Sequence, residues 1–304
     1  MTLLLALACT AKTPDDSGGP AALADAYTLS DEGLFPEGVA FHEGERAFFM
    51  GSLEGGAITR LDADGAETVI FEPDPGWMSL GMKIAPGTDT LVVCAIQGYG
   101  TEDVHAALWR FDVTTGARTS EVDLGAGSNC NDVAIDAAGT TWVTDRESPN
   151  LYRVPAGGAA ELWATDEALG STLIGLNGAV LTDTHLLVGI YAPATVLRVA
   201  LADPTDIQEV AVTGDDLGSL PDGLDGITWF GDTMVIAGNS RVLELRSDDG
   251  WASATCTATE QEVAFAAVTV AEGRVYGLKG EIVPYVLGMD VDLPFELRVA
   301  ALSE

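Results

Sequence analysis

Apolar and polar residues alternate along this chain in short runs, and the runs come in pairs. Residues 37–50 read EGVAFHEGERAFFM: an apolar run, a polar turn, then a second apolar run. The same order recurs at 131–143 (NDVAIDAAGTTWV), 177–188 (NGAVLTDTHLLV) and 225–236 (DGITWFGDTMVI). Residues 80–93 (LGMKIAPGTDTLVV) and 266–276 (AAVTVAEGRVY) repeat it without the polar leader. Each segment predicts a β-hairpin, because alternation with a period of two buries one face of a strand. The residues leading the six hairpins are Glu37, Leu80, Asn131, Asn177, Asp225 and Ala266, spaced 43, 51, 46, 48 and 41 residues apart. A strand repeat of roughly 40–50 residues predicts the blades of an all-β, six-bladed β-propeller.

Third strands follow each hairpin at 58–61 (ITRL), 108–111 (LWRF), 151–154 (LYRV), 196–199 (VLRV), 242–245 (VLEL) and 296–299 (ELRV). Arg stands third in five of the six, which predicts a structural role for that position. The last unit lacks a fourth strand. The unassigned AYTL at 26–29 is expected to supply it, so that the N-terminal strand closes the ring and removes two sheet edges. Helical periodicity is absent apart from one turn expected at Asp166–Leu169.

Composition agrees. A chain of 304 residues suffices for one six-bladed ring over 26–304, and 35 Gly and 13 Pro are spread among the turns. The 14 Lys and Arg against 47 Asp and Glu set a formal charge of −33. Such a surface repels nucleic acid and anionic membranes, and it speaks to solubility. Residues 1–8, MTLLLALA, end at Cys9. They resemble the tail of a bacterial lipoprotein signal, with Cys9 lipidated as a membrane tether and a flexible stretch over 10–25. No Lys or Arg precedes the apolar run, which is too short to span a bilayer. The expectation is an exported monomer: periplasmic, anchored or secreted. Of the other three cysteines, Cys94 and Cys256 read as buried, unpaired thiols, and Cys130 has no His near it in sequence to make it a nucleophile.

Candidate chemistry lies in the leaders. If the six segments stand around one axis, Glu37, Asn131, Asn177 and Asp225 bring two carboxylates and two side-chain amides to one point. Such an oxygen set suits a hard divalent cation such as calcium. Among the histidines, His42 and His185 fall in first-to-second-strand turns, on the far face. His105, in a long loop from Ala95 to Ala107, is the one expected to overhang the leaders. Asp145, Arg146, Tyr191, Asn239 and Lys279 fall in the same class of loop.

The segments at Glu37 (EGVAF), Asn131–Asp145 (NDVAID…WVTD), Asn177 (LNGAVL) and Asp225 (DGITW) resemble the SMP-30/gluconolactonase-like family of six-bladed propellers, related to the paraoxonases. The resemblance spans roughly 26–304. It implies a metal-dependent hydrolase acting on a lactone or related ester, with calcium or another divalent ion (zinc, manganese or magnesium) in the central channel. Glu37, Asn177 and Asp225 are then direct ligands. Asn131 is a ligand, direct or through water, that also contacts substrate. Asp225 doubles as general base, and His105 is a catalytic candidate. Asp222, in PDGLDG at 221–226, competes with Asp225 for one family motif. Asp225 keeps the hairpin phase, nine residues before Met234 as Asn177 is nine before Leu186. Two other functions compete: a silent, metal-stabilised propeller binding a protein or glycan, and a strictosidine synthase-like enzyme.

Overall fold

The structure, a computed structural model, describes residues 22–303. The apolar start, Cys9 and most of the expected tether lie outside the described residues. The chain enters on β1 (Ala26–Thr28). Blade 1 is β2 (Val39–His42), β3 (Ala47–Met50), β4 (Ile58–Asp62) and β5 (Glu67–Phe71). Blade 2 is β6 (Trp77–Ile84), β7 (Thr90–Gln97), β8 (His105–Asp112) and β9 (Arg118–Ala126). Blade 3 is β10 (Cys130–Ile135), β11 (Thr141–Asp145), β12 (Asn150–Val154) and β13 (Glu161–Thr165). Blade 4 is β14 (Ile174–Leu181), β15 (His185–Ala192), β16 (Thr195–Ala200) and β17 (Asp203–Glu209). Blade 5 holds β18 (Ala211–Gly214), β19 (Ile227–Phe230), β20 (Thr233–Arg246) and β21 (Ser253–Phe265). Blade 6 is β22 (Ala267–Ala271), β23 (Arg274–Lys279) and β24 (Glu296–Val299), completed by β1.

All six predicted hairpins and all six third strands are present, in six separate sheets. β1 runs antiparallel to β24, with Tyr27 opposite Leu297, so the N-terminal strand closes the ring as expected. Order begins before the boundary expected at 26: Leu23 is buried, and Arg274 Nη1 pairs with Asp25 at 2.6 Å. Blade 5 departs from the simple repeat. Its second and third strands run together as β20, bent at Asn239 (φ 60°), and β18 lies parallel on the outer edge of β21. The turn at Asp166–Leu169 is a short 3-10 helix, Glu167–Leu169, capped by the Asp166 side chain. A short helix that sequence periodicity did not show, α1 (Ile282–Val286), sits between β23 and β24.

The apolar core divides into six clusters, one at each blade-to-blade interface. Phe49 and Trp109 share the cluster between blades 1 and 2, Trp142 and Leu197 the one between 3 and 4. Middle strands are therefore buried on both faces, as in β7, where all residues from Leu91 to Ile96 are buried. Four of the five register arginines bind these interfaces from outside, and Arg153 pairs with Glu161 inside its own blade. Arg60 reaches Val113 O (3.3 Å), Arg110 reaches Thr141 Oγ1 (3.0 Å) and Arg198 reaches Gly250 O (3.2 Å), each on the following blade. Arg298 pairs backwards with Glu262 of blade 5 at 2.8 Å.

The cysteines differ from the expectation. Cys94 is not a free thiol: it forms a disulfide with Cys130, with Cα atoms 5.9 Å apart. The two lie 36 residues apart on different blades. Only the facing of β7 and β10 across the interface brings them together, and sequence spacing does not show that. Cys256 is buried and free, as expected.

Candidate functional site

Each innermost strand brings its leader to the ring axis by breaking its own regularity there. The ladder register shifts between Ser79 and Met82, between Cys130 and Val133, and between Leu176 and Ala179. Those bulges bracket Leu80, Asn131 and Asn177. Glu37 and Asp225 stand two residues before β2 and β19, and Asp225 N–H already donates to Ala237 O at 2.9 Å. A bulge re-aims side chains that a regular strand would send to alternate faces.

The residue after the leader explains how close the inner strands come. A Cβ on Gly38 would lie 2.1 Å from Leu80 O, one on Gly81 2.5 Å from Asn131 O, and one on Gly178 2.4 Å from Asp225 O. Each glycine therefore abuts the next leader's backbone, and no side chain fits. Gly178→Ala is expected to cost about 1–3 kcal/mol through overpacking against backbone, seen as a lower denaturant midpoint. An unchanged midpoint would show that the strands part easily.

Glu37, Asn131, Asn177 and Asp225 do line one central cavity, with Ala266 beside them. They are 7%, 3%, 7% and 8% exposed. The space among them is about 10 Å³, room for about one water-sized sphere. It suits an ion, and an organic ligand has to sit on the loop face above. Glu37 Oε2 is buried and has no hydrogen-bond partner. The Asn177 amide stands beside the Asp225 carboxylate and favours its ionised form. Among the described residues, no three His, Cys, Asp or Glu side chains gather tightly enough to hold an ion alone. The oxygen set is complete only when the two amides are counted.

Asp132 and Lys83 also line the cavity, and the sequence reading missed both. Lys83 Nζ lies 3.2 Å from Asp132 Oδ2, which also accepts the Ala179 N–H at 3.0 Å. Asp132 fills the place that Gly takes after Glu37, Leu80, Asn177 and Asp225. That break in the leader–Gly pairing is the signal that could have found it.

Asp222 is turned elsewhere. It accepts from the N–H and hydroxyl of Ser240, at 3.0 and 2.8 Å, while Asp225 faces the cavity. His105 is a strand residue, opening β8, and the loop is shorter than expected because β7 runs on to Gln97. Its ring meets Trp77 edge-on at 5.5 Å and does not line the cavity. His42, on the opposite face, pairs with Asp89. Asp145 is buried and braces its loop by accepting from the N–H groups of Asn129, Glu147 and Ser148. Tyr191 donates to Pro221 O at 2.7 Å, and burial with Asp225 nearby raises its pKa. Lys279 is engaged by Asp292 and Pro294 O, and Asn239 reaches toward Pro221 O.

Burial pushes Glu37 well above the usual carboxylate range, with Asp225 and Asp132 adding repulsion. Burial raises Asp225 to about 7, and Arg146 and the Asn177 amide oppose the shift. The folded, metal-free chain thus holds protons that an unfolded chain releases near pH 4. Between about pH 4 and 7 the native state binds more protons at Asp225, so stability falls as pH rises through that window, and Glu37 acts in the same direction. In chelator, the melting temperature is expected to be higher at pH 5 than at pH 7.5, and Glu37→Gln with Asp225→Asn should flatten the slope. The same slope in that double variant would place its origin in the general negative charge.

No protein-family model matches the chain, and no curated protein matches it in sequence. Solved structures do match in fold. The chain is similar to the major Malassezia sympodialis allergen Mala s 1, at 17% identity over 91% of this chain and 96% of that one, TM-score 0.75. It is similar to a gluconolactonase of Xanthomonas campestris, at 18% identity over 90% of this chain and 89% of that one, TM-score 0.62. Virginiamycin B lyase of Staphylococcus aureus is similar at 13% identity over 83% of this chain and 94% of that one, TM-score 0.53. Likeness in fold to an allergen, a gluconolactonase and a lyase alike shows that fold does not decide chemistry here. At these identities the likeness establishes the six-bladed propeller fold, and the chemistry rests on the side chains at its axis.

Proposed function

We propose that this protein is a divalent-metal-dependent hydrolase of lactones or related esters, working at the loop-face end of the central cavity. The observation that supports it most is the convergence of Glu37, Asn131, Asn177 and Asp225 from four blades on one ion-sized space, with a buried Glu37 oxygen left unpaired. An unpaired buried carboxylate oxygen costs free energy unless something positive or a donor meets it. Two hard carboxylates and two amide oxygens fit calcium by chemistry. Glu37, Asn177, Asp225 and Asn131 would hold the ion. When bound, it supplies positive charge that polarises an ester carbonyl and lowers the pKa of water.

The chain's own residues do the rest. Asp225, which lines the cavity, takes a proton from attacking water as general base. The Asn177 amide beside it favours the ionised form of the Asp225 carboxylate. Leu80 shares an apolar cluster with Leu53, Phe35, Ile282 and Tyr285, so α1 belongs to an apolar side of the ring top that limits water there.

The test is a screen of lactones and aryl esters with the chelated protein and with calcium restored. Calcium-dependent turnover is the expected result. A silent propeller instead gives a melting temperature raised by calcium and no turnover of any substrate.

A further inference from the structure

We propose that Arg146 forms an anion-recognising corner that selects lactones or esters carrying a carboxylate. The inference rests on the hydrolase reading above and names its substrate class. It starts from how firmly the Arg146 backbone is placed. Its N–H donates to Asn129 O at 2.9 Å. Its carbonyl oxygen lies so near Gly175 that a Cβ there would stand 2.3 Å away. Asn129 and Gly175 each lie two residues before an amide of the candidate site, Asn131 and Asn177. The arginine is thus fixed to both strands that present those amides.

Its head group has a donor to spare. Arg146 Nε is buried without a hydrogen-bond partner. The carboxylate oxygen of its ion-pair partner, Glu147 Oε1, is 3.6 Å away, too far for a hydrogen bond. Leaving such a donor unmet costs about 1–3 kcal/mol, so it marks the place of a ligand's acceptor. The guanidinium lies over the Tyr99 ring at 5.4 Å, which steadies its plane. It also acts electrostatically on Glu37, Asp225 and Tyr191, from three other blades, so its charge is directed to the axis.

Charge selects the ligand. Of the two cations near the axis, Lys83 lines the cavity and is already engaged by Asp132. Arg146 is then the cation with a donor to spare for a planar carboxylate.

The experiment uses the calcium-loaded full chain and two probes, γ-butyrolactone and its ring-carboxylated analogue 5-oxotetrahydrofuran-2-carboxylate. Binding is measured by calorimetry and turnover by kcat and KM, for the unmodified protein, Arg146→Gln and Arg146→Lys. The unmodified protein should prefer the carboxylated probe. Arg146→Gln should reduce that preference about ten- to hundredfold, the range of a charge-assisted hydrogen bond, mainly through KM. Arg146→Lys should restore part of it. If the unmodified protein shows no preference in calorimetry, or Arg146→Gln keeps it while remaining folded, the proposal is overturned. If neither probe is hydrolysed, the hydrolase reading loses support, while the calorimetric preference still decides the role of Arg146.

Discussion

Asp225→Asn is expected to lower lactone hydrolysis at least about 100-fold, the low end of general-base contributions, without unfolding the protein. The substitution keeps the side-chain shape and one oxygen, and it removes the charge and the base together. Stability should move the other way. Burial raises the Asp225 pKa, so the ionised carboxylate is uncomfortable in the metal-free ring. A neutral amide relieves that, and in chelator at pH 7.5 the variant should melt no lower than the unmodified protein. Calcium should then raise its melting temperature less than it raises that of the unmodified protein. Initial rates and melting curves, each with and without calcium, separate the two effects. A variant that hydrolyses at an unchanged rate with calcium bound would remove Asp225 from the mechanism.

Replacing both members of the disulfide, Cys94→Ala with Cys130→Ala, should cost about 2–4 kcal/mol. The bond spans 36 residues and joins blade 2 to blade 3 inside a fully buried cluster. Two effects add: the unfolded chain gains freedom, and the interface loses buried sulfur contacts. Because Cys130 directly precedes Asn131, the loss should also loosen one oxygen of the site. Calcium affinity is therefore expected to fall along with the denaturant midpoint. An unchanged midpoint in the double variant would mean that the apolar interface alone sets the spacing of these blades.

The blades were legible because a propeller repeats one physical problem six times. Each unit needs an alternating hairpin, and each hairpin needs a residue that turns in at the axis. Glu37, Asn131, Asn177 and Asp225 therefore shared a register before any coordinate was known. The phase of the hairpin separated Asp225 from Asp222 for the same reason. What could not be read depends on contacts between units. Cys94 meets Cys130, and Lys83 meets Asp132, 49 positions away and across a blade boundary. Nothing in the local pattern of either strand encodes its neighbour's face. His105 was misplaced because the Gly-rich, acidic stretch before it hides how far β7 and β8 extend. The five-residue helix α1 is too short to leave a period. The glycines after the leaders were visible but read as turn residues, whereas their duty is to let neighbouring inner strands touch.

The way the chain enters the ring has a practical side. Asp25 and Leu23 are held by Arg274, at the hairpin between β22 and β23. That hairpin lies at the end of the channel away from the leaders, whereas Arg146 and Tyr191 lie on the leaders' side. A label placed at the exposed Ala24 therefore sits behind the ring. A molecule held there would present its cavity outward, which makes this position a natural handle for surface-based measurements of ligand binding.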